Sequence, residues 1–169
     1  QRLACQARVA DTGTDITVYI PNFGKYTVLS DYVQVEVDLD PSVRRVKDRV
    51  KHANGRDLGP YENGIYGLAI DIGTTTLVLQ VVNLENGENV GKAVASKNPQ
   101  IAYGNEVISR IGHTIDHPGG LAELQEAVIE GINHSLIEWE GRLSVDGGIA
   151  EHIYEAVIVG NSTMRDLAF

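Results

Sequence analysis

The sequence predicts a mixed α/β fold, with elements in the order β-β-β-α-β-α after a strand-rich N-terminal region. Two apolar runs, residues 68–70 and 77–82, are close enough in sequence to form a hairpin of buried strands. A long stretch with apolar residues at helical spacing follows, and it leads to the apolar run at residues 153–160. A meander of three strands followed by crossover helices indicates a mixed sheet that is covered by helices.

The composition is that of a globular protein with a real core. Hydrophobic residues make up 43% of the 169 residues, which suits one domain with or without a small appendage. The sequence has no apolar run of the roughly 20 residues that a membrane-spanning helix needs. A net charge of −9 disfavours nucleic acid and anionic membrane as partners. The single cysteine, Cys5, excludes an internal disulfide and fits a reducing compartment, so we expect a soluble, cytoplasmic protein.

Residues 1–60 are predicted to form short strands and turns. Residues 15–20 and 34–39 alternate apolar and polar side chains with the period of a strand. Residues 45–52 fit two alternatives, because valines recur there at helical spacing, whereas the turn pair Asn54-Gly55 that follows is typical of a hairpin. We favour the hairpin.

After a connector rich in Gly, Pro and Asn at residues 59–64, the sequence predicts the main sheet and its helices. Strands are expected at residues 65–71, 77–84 and 90–97. Residues 98–120 then carry a helical stripe of four apolar residues: Tyr103, Val107, Ile108 and Ile111. Glu106 and Arg110 have the spacing of an i,i+4 ion pair.

Residues 121–142 form the clearest predicted helix, and we assign Trp139 in its apolar stripe to the core. A strand at residues 153–160 and the start of another helix, in "NSTMRDLAF", complete the order. Glu138 and Glu140 flank Trp139 on other faces and are not a catalytic pair.

The loop between the first two sheet strands carries polar side chains that suit a phosphate site. Asp71 ends a buried strand, Gly73 lets a ligand approach the backbone closely, and Thr74, Thr75 and Thr76 add hydroxyl and N–H groups. A turn of such donors can bind phosphate oxygens, and the carboxylate can hold a magnesium ion through water. The alternative is a hairpin whose side chains only satisfy their own turn amides.

A second polar segment follows the strand at residues 153–160. Gly160, Asn161, Ser162 and Thr163 lie where this strand passes into a helix. Asn161 or Ser162 could serve only as a helix cap, while a helix N-terminus is also an anion site. Two polar strand ends in one sheet predict a shared ligand crevice at the carboxyl ends of the strands.

These segments resemble a known family. The strand–"DIGTTT"–strand unit is similar to the first half of ATPases of the acetate kinase, sugar kinase, Hsp70 and actin superfamily. The longer strings "GLAIDIGTTTLVLQVVNLENGE", "ASKNPQIAYGNEVISRI" and "VGNSTMRDL" resemble the reductive activators of corrinoid proteins, which are iron–sulfur ATPases. The similarity extends over roughly the last hundred residues.

The resemblance implies three parts of a longer protein. Residues 65–169 would be the N-terminal part of an actin-like (ribonuclease H-like) ATPase domain, and residues 31–64 a β-rich linker. Residues 1–30, with "RLACQARV", would end a β-grasp ferredoxin-like domain whose two-iron two-sulfur cluster has Cys5 as one of four cysteine ligands. Considered alone, Cys5 is better interpreted as a small buried or terminal thiol, because one cysteine cannot hold a cluster, and only the resemblance implies the ligand role. The sequence begins within the cysteine segment and stops within a predicted helix, so we expect it to be a fragment of a longer protein. Because the second half of the ATPase domain is not included, we expect this fragment to be inactive by itself.

For the intact protein the resemblance implies an ATP-dependent activator. It would reduce the Co(II) corrinoid of a methyltransferase corrinoid protein to Co(I), with electrons from an external donor, and it could form a homodimer. ATP and Mg²⁺ would be bound by Asp71, by the loop from Gly73 to Thr76 and by residues 160–163. The alternatives are a small-molecule kinase of the same superfamily and a non-catalytic actin-like scaffold that binds nucleotide to assemble.

Some polar residues remain without a role at this stage. His113 and His117 have a spacing that can bind metal on a helix, but Pro118 follows and no third ligand is evident. Asn98, Gln100 and Arg110 belong to one of the strings that carry the resemblance, and the pattern assigns them no function.

Overall fold

The computed structural model describes residues 38–143 and 148–169. In this part of the chain, seven strands form two sheets: β1 (Val43–Val46), β2 (Arg49–His52), β3 (Asp57–Pro60), β4 (Tyr66–Ile72), β5 (Thr76–Asn83), β6 (Asn89–Lys97) and β7 (Ile153–Gly160). The α-helices are α1 (Val107–Asp116), α2 (Gly120–Arg142) and α3 (Ser162–Ala168), and short 3₁₀ helices occupy Pro99–Tyr103 and Ile149–His152.

The larger sheet confirms the predicted mixed topology. Its strands lie in the order β6-β5-β4-β7, with β4 antiparallel to β5 and parallel to β7. The register places Ile72 beside both Leu77 and Gly160. The carboxyl ends of β4 and β7 therefore lie side by side at one edge of the sheet, as expected for parallel neighbours.

One face of this sheet and the helices enclose the main core. Alternate residues of β4 and β5 are buried, as the period of a strand requires, including Ile70, Ile72 and Leu79. They pack with apolar residues of α2 and α3. Trp139 of α2 is 1% exposed and its Nε1 donates to the carbonyl of Val90 at 3.1 Å, which confirms the assignment of this residue to the core.

The smaller sheet confirms the hairpin that we favoured at residues 45–52. The three strands β1, β2 and β3 form two successive hairpins. A tight turn with Lys47 at φ 58° separates β1 from β2, and the Asn54-Gly55 turn joins β2 to β3. Val43, Val50 and Ile65 form its small core. This cluster also contacts Leu84 and Tyr154 of the larger sheet region.

The segment between β6 and α2 differs from the sequence prediction. The predicted helical segment is divided into a 3₁₀ helix and α1. Ile108 of the predicted apolar stripe is 78% exposed rather than buried. The predicted ion pair between Glu106 and Arg110 was wrong. Arg110 is the buried residue of α1, and its guanidinium contacts carbonyl oxygens and a sulfur atom instead of a carboxylate.

Several predictions lie outside the described residues. They include Cys5, the strand at residues 15–20 and most of the strand at residues 34–39, of which only Asp38 and Leu39 are described and neither is in a strand. Among the helices of the described ranges, none is both long and apolar enough to cross a membrane.

Candidate functional site

The loop between β4 and β5 is a tight turn at the edge of the larger sheet. Asp71 is exposed near the end of β4, and the N–H of Gly73 donates to the carbonyl of Thr76 at 2.9 Å. A Cβ atom on Gly73 would lie 2.9 Å from that same carbonyl oxygen, closer than real Cβ contacts come. Gly73 is therefore required by the close approach of two backbone segments.

Every carbonyl from Gly73 to Thr75 accepts a hydrogen bond from residues that follow β6. The Nδ2 of Asn98 donates to the carbonyl of Gly73 at 2.7 Å, and the backbone N–H of Asn98 donates to that of Thr75 at 2.9 Å. The Nη2 of Arg110 donates to the carbonyl of Thr74 at 2.6 Å. The conformation of the loop is thus fixed by contacts from outside the hairpin.

The second polar segment lies next to this loop, as the sequence predicted. Asn161 is the N-cap of α3, where its Oδ1 accepts from the N–H of Met164 at 2.9 Å. Its Nδ2 lies 3.5 Å from the Oγ1 of Thr74. Asn161 therefore has the capping role that we considered as the alternative and also contacts the first loop. Ser162 begins α3, and Thr163 is partly buried within it.

Between the two segments lies a cluster of buried polar side chains. Asn98, Gln100 and Arg110 are at most 1% exposed. The Nε2 of Gln100 donates to the carbonyls of Leu124 and Leu167, both at 3.1 Å. This cluster, which we call the buried polar cluster, joins the loop to both α2 and α3.

Arg110 is the charged member of the cluster. Its Nε donates to the carbonyl of Gly104 at 2.9 Å, and its Nη1 lies 3.2 Å from the sulfur of Met164 and 3.4 Å from the Oε1 of Gln100. No carboxylate within residues 38–143 and 148–169 forms an ion pair with it. Burial lowers the pKa of Arg110, but a guanidinium stays protonated in proteins, so a buried positive charge lies beside the loop.

The sequence did not predict that Asn98, Gln100 and Arg110 form one buried cluster. One signal was available, since Arg110 follows Val107 by three positions and therefore lies on the same helical face as a half-buried residue. Another was the Asn-Pro pair, in which Asn98 caps the 3₁₀ helix by accepting from the N–H of Gln100 at 2.9 Å. Their partners are distant in sequence, and no local pattern identifies them.

The strand ends adjoin open space that could receive a ligand. A shallow groove of about 200 Å³ on the open face of the sheet has Asp71, Val78, Gln80 and Val159 in its wall. A second groove, of about 520 Å³, lies beside Gly160 at the end of β7.

His113 of α1 and His117, the C-cap of this helix, contact each other. The Nε2 of His113 lies 2.6 Å from the Oε2 of Glu123, and the rings of His113 and His117 stack with centroids 4.3 Å apart. In the part of the chain that the structure describes, no group of three or more His, Cys, Asp or Glu residues could hold a metal ion.

Comparison with known proteins shows the same class of fold in a solved structure. A reductive activator for corrinoid, iron–sulfur protein superposes with a TM-score of 0.58 and 38% sequence identity, over 66% of this chain and 17% of that protein. The corrinoid activation enzyme RamQ of Eubacterium limosum is 36% identical over 106 residues, which are 63% of this chain and 17% of the enzyme. The chain thus spans about one sixth of the length of these relatives.

The chain has a mixed α/β fold of the kind found in a reductive activator of corrinoid proteins. Residues 66–169 match the family described as the RACo middle region, and the chain belongs to that family. The resemblance read from the sequence strings is confirmed. The match begins at the first residue of β4 and contains both strand ends and the buried polar cluster.

Proposed function

We propose that this chain supplies phosphate-binding loops to an ATP-dependent reductive activator of corrinoid proteins. The observation that carries the proposal is the contact between the two strand ends, where the Nδ2 of Asn161 lies 3.5 Å from the Oγ1 of Thr74. Polar residues at the carboxyl ends of neighbouring parallel strands are the usual location of ligand sites in α/β sheets. Membership of the RACo middle region family and the names of the relatives support a role of the chain as a whole in corrinoid activation.

The residues present fit a magnesium–nucleotide ligand. Gly73 allows the two strand ends to approach each other closely in a tight turn, and Thr74, Thr75 and Thr76 offer N–H and hydroxyl donors to phosphate oxygens. Asp71 is exposed beside them and would hold Mg²⁺ through water. Gly160, Asn161, Ser162 and Thr163 would form the opposite rim. When bound, ATP supplies the free energy for a conformational change in the whole protein.

The redox part of the proposal involves residues outside the described ranges. Cys5 would be one ligand of a two-iron two-sulfur cluster in the intact protein, with three further cysteines from elsewhere in it. An external donor provides one electron, and the Co(II) corrinoid of the partner methyltransferase protein takes it up and becomes Co(I). The names of the relatives, a corrinoid activation enzyme and a reductive activator for corrinoid, iron–sulfur protein, support this partner class. We further propose a cytoplasmic location and a homodimer.

An assay with the full-length protein tests this function. A corrinoid protein in the Co(II) state is mixed with the full-length protein and a chemical electron donor under anaerobic conditions, and the visible absorption of the corrinoid follows its oxidation state. We expect Co(I) to accumulate only when Mg²⁺ and ATP are both present. Equal accumulation with and without ATP would contradict an ATP-dependent activator.

A further inference from the structure

We propose that Arg110, assisted by Asn98, is the positioning residue that gives the β4–β5 loop its phosphate-binding conformation. The inference rests on the proposed function and deepens it, because it identifies what turns the amides of the loop towards an anion. Arg110 acts through Thr74 and does not itself touch the ligand.

The orientation of the peptide groups determines where the N–H groups of the loop point. The described peptide bonds are all trans, so each carbonyl and the N–H of the next residue point in opposite directions. The carbonyls of Gly73, Thr74 and Thr75 point to Asn98 Nδ2, Arg110 Nη2 and Asn98 N, respectively. The N–H groups of Thr74, Thr75 and Thr76 consequently point away from these buried donors.

Two of these N–H groups are available to a ligand. Among the described residues, none accepts a hydrogen bond from the N–H of Thr74 or of Thr75. Successive backbone N–H groups that converge in a turn form a concave anion site. The inward hydrogen bonds to the carbonyls therefore leave an outward row of donors, which suits a phosphate group.

The charge of Arg110 strengthens the same site. Its guanidinium is buried, and its described partners are carbonyl oxygens, an amide oxygen and a sulfur atom. An isolated buried cation is costly unless an anion offsets it. An anion on the outer side of the Thr74 peptide would interact favourably with this charge across a low-dielectric region.

Arg110 also connects the two strand ends. Its Nη2 contacts the first loop at Thr74, and its Nη1 lies 3.2 Å from the sulfur of Met164, whose N–H is capped by Asn161. Asn98 lies near the same sulfur atom, with its Nδ2 at 3.9 Å. The buried polar cluster thus sets the spacing between the two polar segments.

The test compares the binding of ATP with that of adenosine in the full-length protein, by isothermal titration in the presence of Mg²⁺. We expect Arg110→Met to weaken ATP binding by about tenfold or more, because a charge-assisted hydrogen bond to the loop is lost. Adenosine binding should stay within about twofold of the wild type, since adenosine lacks phosphate. Arg110→Lys should resemble Arg110→Met, because lysine has a single nitrogen and lacks the planar fork whose Nε and Nη2 reach Gly104 and Thr74 separately.

Arg142→Met is the matched control, since Arg142 lies on the surface of α2 and pairs there with Glu138 at 2.5 Å. It should bind both ligands as the wild type does. Unchanged ATP binding in both Arg110 variants would overturn the proposal, and so would equal weakening of ATP and adenosine, which indicates general structural damage. If Arg110→Met does not fold, Arg110→Lys decides between these outcomes. A wild-type protein that binds ATP no better than adenosine would overturn the proposed function itself.

Discussion

The side-chain amide of Asn98 donates a 2.7 Å hydrogen bond to the carbonyl oxygen of Gly73, 25 residues earlier in the chain. Asn98 is 1% exposed, and Asn98→Ala would leave this partly buried carbonyl without its donor and would also remove the cap of the 3₁₀ helix. We expect the free energy of unfolding to fall by about 2–4 kcal/mol, as for the loss of one buried and one partly buried hydrogen bond. Urea denaturation followed by circular dichroism measures this loss.

Asn105→Ala is the control for this substitution. Asn105 is exposed and makes no side-chain hydrogen bond with another described residue, so its replacement should change the free energy of unfolding by no more than about 0.5 kcal/mol. Equal effects of the two substitutions would show that Asn98 does not hold the loop.

A second prediction concerns the close approach at Gly73. Gly73→Ala places a Cβ atom 2.9 Å from the carbonyl oxygen of Thr76, so one strand end must shift. We expect ATP binding to the full-length protein to weaken by about tenfold or more, because the donors of the loop lose their alignment. Isothermal titration with ATP and Mg²⁺ measures the change.

Gly112→Ala is the control for the substitution at Gly73. Gly112 lies in α1, and no other part of the described chain comes within 4 Å of the position that an alanine methyl group would take there. Alanine should therefore leave ATP binding unchanged and stabilise the helix by about 0.5–1 kcal/mol. Tight ATP binding by Gly73→Ala would show that the loop tolerates the shift.

A third prediction concerns the core beneath the sheet. Trp139 is the only tryptophan of the chain, is 1% exposed and donates to the carbonyl of Val90. Trp139→Ala should lower the free energy of unfolding by about 3–5 kcal/mol, as large-to-small substitutions in a core do. Ile137→Ala on the same helix should cost no more than about 0.5 kcal/mol, because Ile137 is 70% exposed. A small effect at Trp139 in urea denaturation would place this side chain outside the core.

The larger sheet could be predicted from the sequence because its signals are local. The strand at residues 153–160 has the predicted bounds, and β4 and β5 differ from the predicted strands by one residue at each end. The contact between the loop of Thr74 and the segment of Asn161 followed from one topological rule, that parallel neighbours end at the same edge of the sheet.

The support of the loop could not be predicted, because its contacts are remote in sequence. Arg110 contacts Thr74, 36 residues earlier, and Met164, 54 residues later. From its own neighbours it resembled half of an exposed ion pair with Glu106, since charged helical residues at this spacing commonly pair on the surface. Only the tertiary fold reveals that its partners are carbonyl oxygens of a turn.

The most direct test of the account is ATP hydrolysis by the full-length protein with Asp71→Asn, measured as phosphate release at saturating ATP. Asp71 is exposed at the end of β4, so the fold should be retained, and Asp116→Asn on the exposed end of α1 is the matched control for the change of charge. We predict that Asp71→Asn lowers turnover by about a hundredfold or more, since the carboxylate would position the metal at the phosphates, while Asp116→Asn has no effect. Turnover by Asp71→Asn equal to that of the wild type would contradict a phosphate site at this strand end.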